Sequence, residues 1–491
     1  MPPSLTSRVQ SGVIWNTFSV ASTYLLGLVR SVIMARLLLA EDFGLFGMAL
    51  TVVTGLGALT NIGLDISVIN TKFKDDAELS KHLDTLWTVD LLRRLLLALL
   101  MLALARPAAK FYGEPKVFEL LLVLSLLPLL QGFQNIGLMI QRKGVNFKKI
   151  VWLELVTNLL TALATIALVF WTRNVWALVL SQLVAALIGV GLSYVFHPYR
   201  PRPRLDRDSL RLALSFGKYA FLLGVLSYVM MMADNVLLGR LYSAAILGTY
   251  VIAYNLAVLP LHGVGAAIVN VTFPAYAEIA GGEIKRLERA FVRVFVVSST
   301  LLTFTTALLL LLGNEIVVFL YGSKWTAAGT ILRILALLVF CKGHAILVSP
   351  LVVSVRGIAP DAKIKLFEAA IFLVVLYPLT SRYGAVGAAA ACAIAFFVMM
   401  VNRLRVAASL LPNIAGTLLR TVLSATAACA LGAGLGAPAI GAVHSIIGRL
   451  LLGSLVIAIV VNGVMLVLSA TLRTELLRLF NRESAERSTG H

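Results

Sequence analysis

Arg30 and Asp234 each lie inside an apolar run, and they occupy the same place in a repeated segment. The stretch RSVIMARLLLAEDFGLFGMAL, Arg30 to Leu50, aligns without a gap on DNVLLGRLYSAAILGTYVIAY, Asp234 to Tyr254, at an offset of 204. Arg36-Leu37 matches Arg240-Leu241, Ala40 matches Ala244, Gly44 matches Gly248 and Ala49 matches Ala253. A charge inside a membrane helix costs about 2.5–3.5 kcal/mol on insertion scales, which makes it a functional candidate by default. If the repeats face one another, an arginine and a carboxylate oppose each other across a cleft. Such a pair would serve as a salt bridge that breaks in the working cycle, or as an anion-binding guanidinium tuned by a nearby acid. The plainer alternatives are a static pair that only offsets burial and side chains that snorkel to the interface.

Other polar residues in apolar surroundings are weighed the same way. Asp65, in NIGLDISVIN, closes the second run. Asp90, Arg93 and Arg94 have the i, i+3, i+4 spacing of a local pair on one helix face. A second echo gives Arg142-x6-Lys149-x4-Glu154 and Arg356-x6-Lys363-x4-Glu368. Asp65, Glu154 and Glu368 are therefore candidates for a gate or a coupling site. Gln131, Gln134 and Asn135 form a polar stripe for which helix packing is the expectation. His344, close to Lys342, reads as a satisfied structural histidine. Asp206-Arg207-Asp208 has the form of a metal-holding DxD, but Ser209 and a helical run follow, so Asp206 reads as an N-cap. No Walker A run, GxSxG elbow or His/Glu metal cluster is present, so an enzyme is not expected and energy must come from a gradient or the membrane potential. Cys341, Cys392 and Cys429 sit in apolar runs at wide spacings, as small buried residues and not as a metal or disulfide framework.

The elements that must position these residues are membrane helices. The 491 residues are 59% hydrophobic and 13% charged, with a mean hydropathy of +0.93, against about 25% charge in ordinary soluble domains. Fourteen runs reach spanning length: about 13–35, 44–69, 86–105, 117–140, 151–171, 175–196, 214–239, 246–270, 291–312, 328–352, 365–381, 385–402, 416–436 and 446–470. The polar start and first run resemble a signal sequence, but the run leads into the repeated hairpin, so it reads as an uncleaved first helix. Alternate loops divide lysine and arginine unequally, 28 on one side against 10 on the other, which sets both termini, 1–12 and 471–491, in the cytoplasm. The net charge of +19 then belongs to loops beside anionic lipid and not to nucleic-acid binding. HPYRPRPRLDRDSLR, within a basic linker 197–213, separates helices 1–6 (13–196) from helices 7–12 (214–402), with a further helix pair at 416–470. Alternating Pro and Arg make that linker extended and soluble. Six spans separate the two copies, so both enter the membrane from one side. The expected fold is all-α and polytopic: two parallel-repeat six-helix lobes around a central cavity, plus the C-terminal pair.

At these residues the chain resembles a known family. IWNTF, MARLLLAEDFGLFGMAL and NIGLDISVIN are similar to the opening of the polysaccharide-export flippases, the Wzx and teichuronic-acid-exporter-like branch of the multidrug/oligosaccharidyl-lipid/polysaccharide exporter superfamily. The stretch from LSFGKYAFLLG to FPAYAEI resembles the start of that family's second lobe, with Asp234, Gly239, Gly248, Tyr250 and Pro274 in the family's places, and RYGAVGAAAA (Arg382 to Ala391) resembles a late segment. The resemblance implies a bacterial inner-membrane flippase. Such a protein moves an oligosaccharide linked to undecaprenyl pyrophosphate by alternating access, for exopolysaccharide, capsule or O-antigen synthesis. It implies a cationic cavity lined by Arg30 and Arg36, with Asp234 beside them, because arginine meets pyrophosphate by charge-assisted, often bidentate hydrogen bonds. It also implies a lipid-tail groove at the last helix pair. Expected partners are the polyprenyl-linked oligosaccharide, anionic lipid, and a polysaccharide polymerase with its assembly proteins; no cofactor or metal is expected. A drug/cation antiporter of the same superfamily is the alternative, but it suits twelve spans and an acidic pocket. A membrane glycosyltransferase or polymerase would want a larger extracytoplasmic loop, and a non-transporting scaffold would move no lipid-linked sugar.

Overall fold

The computed structural model describes residues 22–60, 64, 68, 71, 73, 75–143, 147–280 and 284–468. Among the described residues all regular secondary structure is helical, and ten helices are long and apolar enough to cross a bilayer. The chain is an all-α, multi-pass membrane protein. Its contacts form two compact units, Met1–Val251 and Ile252–His491. The boundary expected at the linker comes earlier than this one, so the helix after the linker groups with the first unit. The N-terminal residues 1–12, Asp65 and the tail 471–491 lie outside the described residues.

The first unit opens with α1 (22–37) and α2 (Ala40–Leu59). Their turn is fixed by Asp42, whose Oδ2 accepts the Leu39 N–H at 2.9 Å. Helix α3 (Asp76–Tyr112) starts where Asp75 accepts the Glu78 N–H at 2.7 Å and stops at Gly113, a glycine with φ 72°. At 37 residues it is about 55 Å long, more than the roughly 30 Å of a bilayer core. Residues 117–140, expected as one span, form α4 (Lys116–Leu124), α5 (Leu126–Gly132) and α6 (Leu138–Lys143). Pro128 has no N–H for the Leu124 carbonyl, so the ladder fails around Ser125. Asn135 holds the second break: its N–H donates to Ser193 Oγ at 3.0 Å and its Nδ2 to the His197 and Tyr199 carbonyls at 3.1 and 2.8 Å. Helices α7 (Phe147–Thr172) and α8 (Trp176–Phe196) follow as an antiparallel pair.

The linker is an ordered strap along α3, not a free tether. Three N–H groups of its extended run find side chains on that helix. Arg202 N–H donates to Asp84 Oδ1 at 3.0 Å, Arg204 N–H to Thr88 Oγ1 at 2.9 Å and Asp206 N–H to Thr85 Oγ1 at 3.2 Å. The Tyr199 hydroxyl donates to Asp84 Oδ1 at 2.7 Å, and burial followed by that carboxylate raises its pKa. Lys81 closes the strap on Asp206 at 2.7 Å. Asp206 also accepts the Ser209 N–H at 3.0 Å, which makes it the N-cap expected for α9 (Arg207–Leu241).

The two copies of the repeated hairpin meet in this unit. Helix α10 (Ala244–Ala280) follows α9 across Tyr242–Ser243. A Cβ at Gly44 would strike the Ala244 carbonyl, and a Cβ at Gly248 would strike the Ala40 carbonyl. Since 44 aligns with 248 and 40 with 244, the contact is reciprocal, the form a two-fold relation gives. A Cβ at Gly47, aligned with residue 251, would lie 3.5 Å from Val251 Cγ2. Missing Cβ atoms let these backbones approach closely, as at small-residue helix crossings in membranes.

The second unit contains α11 (Ile284–Tyr321), α12 (Thr326–Arg356), α13 (Ile358–Leu410), α14 (Ala415–Gly441) and α15 (Ile446–Leu468). The 53 residues of α13 would run about 80 Å if straight. They do not: Gly384 has φ 59° and ψ −136°, and Arg403 bonds Glu368 from beyond it, so the element folds back on itself where the sequence places spans eleven and twelve. Helices α14 and α15 pair and dock on α11, with Gly436 against Leu311 and Gly453 against Leu312.

Gly44→Ala and Gly248→Ala should each destabilise the hairpin crossing by about 1–3 kcal/mol, read as a lower Tm in detergent; an unchanged Tm in both would remove the crossing from the account. The strap should respond to acid. The Lys81 ammonium, then the Ser209 N–H, hold the Asp206 pKa below its ordinary 3.8, so this contribution is complete above that value and is lost as pH falls through the depressed one. Hydrogen exchange at the Arg202, Arg204 and Asp206 amides, corrected for intrinsic rates, should accelerate there. Lys81→Ala should reproduce the acceleration at neutral pH.

Candidate functional site

Arg30 sits seven residues before the end of α1, about 10 Å along the helix from its turn. Its Nε is buried, with no hydrogen-bond partner among the described residues. Desolvating a guanidinium donor without an acceptor is costly. Arg36 is exposed on the last turn of α1.

Asp234 is held within its own hairpin. It is 2% exposed, and its carboxylate accepts the Tyr250 hydroxyl at 2.6 Å and the Asn235 N–H at 2.9 Å. The hydroxyl comes from α10, so the acid pins its own hairpin, one turn before the Gly239–Arg240 end of α9. The repeated position thus carries a cation in one copy and a buried, hydrogen-bonded acid in the other.

Asp90, Arg93 and Arg94 form the local pair their spacing predicts, and more. Arg93 Nε and Nη2 donate to Asp90 Oδ1 at 2.9 and 2.6 Å, and Arg94 Nε donates to Oδ2 at 2.6 Å. One carboxylate is thereby shared by two guanidinium groups. Arg94 Nη1 donates to Gln131 Oε1 at 2.8 Å, from the broken segment α5, and Arg93 Nη1 reaches Thr60 Oγ1 at 3.4 Å. Gly132 brings α5 close: a Cβ there would lie 3.2 Å from Arg94 Cδ. Of the polar stripe, expected to pack helices, Gln131 instead serves a charge and the Asn135 side chain holds the linker strap.

In the second unit, Arg403 spans a buried triad. Its Nε and Nη2 fork onto Glu368 at 2.7 and 3.0 Å, and its Nη1 donates to Asp361 at 2.9 Å. Lys365 approaches Asp361 from a more open position at 3.3 Å. Glu368 therefore joins two helical arms, whereas Glu154, its counterpart in the sequence echo, is exposed on α7. Sequence reasoning placed Arg403 among loop charges and missed the triad; an arginine directly after an apolar run was the available signal. His344 is satisfied, with its ring nitrogens 2.7 Å from the Phe340 carbonyl and 3.0 Å from Ser299 Oγ. Lys342 Nζ stands 5.1 Å from the Phe396 ring centroid and 6.0 Å from that of Tyr254, a cation–π pairing. Among the described residues no group of His, Cys, Asp and Glu could hold a metal ion.

Known proteins share this arrangement of helices. The family described as polysaccharide biosynthesis protein matches residues 33–330. The succinoglycan biosynthesis transport protein ExoT of Rhizobium meliloti is 26% identical over 69% of this chain and 67% of its own. The lipopolysaccharide biosynthesis protein WzxC of Escherichia coli is 24% identical over 78% of this chain and 77% of its own. The teichuronic acid biosynthesis protein TuaB of Bacillus subtilis is 24% identical over 68% and 69% respectively. Among solved structures, the lipid II flippase MurJ in an inward closed conformation superposes with a TM-score of 0.70 at 16% identity, covering 91% of this chain and 98% of that one. An inward-facing multidrug resistance MATE transporter superposes with a TM-score of 0.60 at 17% identity, covering 79% and 95%. These two likenesses show the fold.

Removing one partner of a buried charge pair costs about 3–5 kcal/mol, because the other is left uncompensated. Arg403→Met should lower thermal stability by that order. Glu368→Gln, which keeps an acceptor, should cost less; equal Tm values for both variants and the parent would sink the triad's structural role.

Proposed function

Because the chain belongs to the polysaccharide biosynthesis protein family, in its Wzx-type branch, we propose that it is a flippase for a lipid-linked oligosaccharide. The substrate is an oligosaccharide repeat unit on a polyprenyl pyrophosphate carrier of the undecaprenyl type, bound for exopolysaccharide, capsule or O-antigen. The protein carries it from the cytoplasmic to the outer leaflet of the bacterial inner membrane. The polysaccharide polymerase and its assembly proteins are the partners that would take the product. Fourteen spans, cytoplasmic termini and two six-helix lobes rocking around a cavity complete the proposal. The reciprocal Gly44–Ala244 and Gly248–Ala40 contact supports the lobes' two-fold relation.

One observation carries the reading: the buried Arg30 Nε of α1, which has no hydrogen-bond partner among the described residues. A pyrophosphate would supply the acceptor that the described residues do not, and guanidinium–phosphate hydrogen bonds are strong in a poorly hydrated site. Arg36, exposed on the last turn of α1, adds a second positive charge nearer the turn. The ionised headgroup then crosses the apolar layer beside a fixed counter-charge, which lowers the desolvation barrier that holds such lipids in one leaflet. Asp234 contributes by holding α9 and α10 in register. Glu154 and Glu368 are the gate or coupling candidates, with Glu368 acting through Arg403. Asp65 is a further one.

The test is leaflet-resolved labelling of the lipid-linked oligosaccharide in cells with the parent protein, Arg30→Ala, or no copy. Trapping of the intermediate on the cytoplasmic leaflet is expected in the deletion, and in Arg30→Ala at a normal protein level. Normal outer-leaflet exposure in the deletion, in cells with no redundant flippase, would overturn the flippase and favour the drug/cation antiporter.

A further inference from the structure

We propose that Asp90, Arg93 and Arg94 of α3, with Gln131 of α5 and Thr60 after α2, form a second anion-binding station for a phosphate-class group, separate from Arg30. The proposal deepens the flippase reading and rests on it for the identity of the natural ligand.

Charge is the first argument. Two guanidinium groups share one carboxylate, and among the described residues no second acid reaches either of them. Among the described residues the cluster therefore keeps one surplus positive charge. A purely structural pair would be neutral, as an isolated Asp–Arg pair is. Geometry is the second argument. Asp90 aligns both guanidinium groups from one side. Gln131 and Thr60 fix an Nη of each, and donors are left over on both, most completely Arg94 Nη2. Two pre-oriented planar forks with spare N–H groups match a phosphate edge, which accepts bidentate hydrogen bonds. Access is the third. The side chains of Asp90, Arg93 and Arg94 are 23%, 19% and 20% exposed, shielded from bulk water and still reachable.

Position is the fourth argument. The strap's last hold on α3 is Thr88, and the cluster begins two residues later. The α5 segment that delivers Gln131 is the one broken on both sides. Interrupted membrane helices expose polar backbone where it lines a cavity. The strap and the broken segment together present these arginines at the edge of the apolar layer, where a headgroup first leaves water. The station then receives the pyrophosphate before Arg30 does.

The experiment uses the full chain in lipid nanodiscs, with polyprenyl pyrophosphate and inorganic pyrophosphate as separate probes. Arg94→Gln should weaken binding of both probes about tenfold, the size of one lost charge-assisted hydrogen bond. Asp90→Asn removes the internal counter-charge and should tighten both, a gain that misfolding cannot produce. If neither variant changes either affinity, or if the parent binds neither probe, the station is overturned. If polyprenyl pyrophosphate binding falls in Arg30→Ala and is untouched in Arg93→Gln and Arg94→Gln, the flippase reading stands and the station falls. If inorganic pyrophosphate follows the expected pattern and the polyprenyl lipid does not bind, the station stands with a free phosphate as its ligand and the lipid reading falls.

Discussion

A charge buried among apolar helices must find a partner inside the protein, and the way this chain meets that requirement organises the rest of the structure. Asp234 is answered by a hydroxyl sixteen residues away across its own turn. Asp361 and Glu368 are answered by Arg403, which ties the two arms of a folded-back helix. Asp90 is answered twice, by neighbours on the same helix. In each case the partner is supplied by a tertiary or local contact that also fixes the position of an element, so neutralisation and folding are one event. Arg30 breaks the pattern, since its buried Nε has no acceptor among the described residues. It is this exception that the proposed anionic headgroup would answer.

The two units treat charge differently. The clusters of the first unit hold more cation than acid around α1 and α3, whereas the buried triad of the second holds two acids on one arginine, with Lys365 at its edge. The first arrangement suits an anionic ligand. The second is a closed network that ties the two arms on either side of Gly384. Unequal use of equivalent positions, such as Arg30 against Asp234 and exposed Glu154 against buried Glu368, follows from this division. A repeated segment keeps its backbone geometry while its polar residues specialise.

Much of this was legible in the sequence where the relevant distances are short along the chain. Hydropathy gave the helical class and most spans. The i, i+3, i+4 spacing gave the Asp90 pair, the residues after Asp206 gave its cap, and the lone histidine proved to be satisfied as expected. What stayed hidden depends on contacts far apart in sequence. The Pro-Arg linker reads as extended, and it is; nothing local says that Asp84, Thr85 and Thr88, more than a hundred residues earlier, take up its N–H groups. Arg403 reads as a loop charge until α13 folds back. Pro128 announces a weakness in its helix, but the second break depends on Asn135 reaching the strap. Asp234 stands out in the sequence as an intramembrane charge, but its bond to the Tyr250 hydroxyl depends on the register of a hairpin.

The reciprocal crossing of Gly44 on Ala244 and Gly248 on Ala40 has a consequence for how such a chain evolves. Four positions from two copies of one segment share a single gap between backbones, so a larger residue at any of them is felt by a residue of the other copy. The copies are free to diverge in charge at Arg30 and Asp234, yet they are tied in volume at this seam. Across a lineage the seam would change by paired, compensating steps, leaving a record of covariation between halves of the chain whose sequences otherwise drift apart.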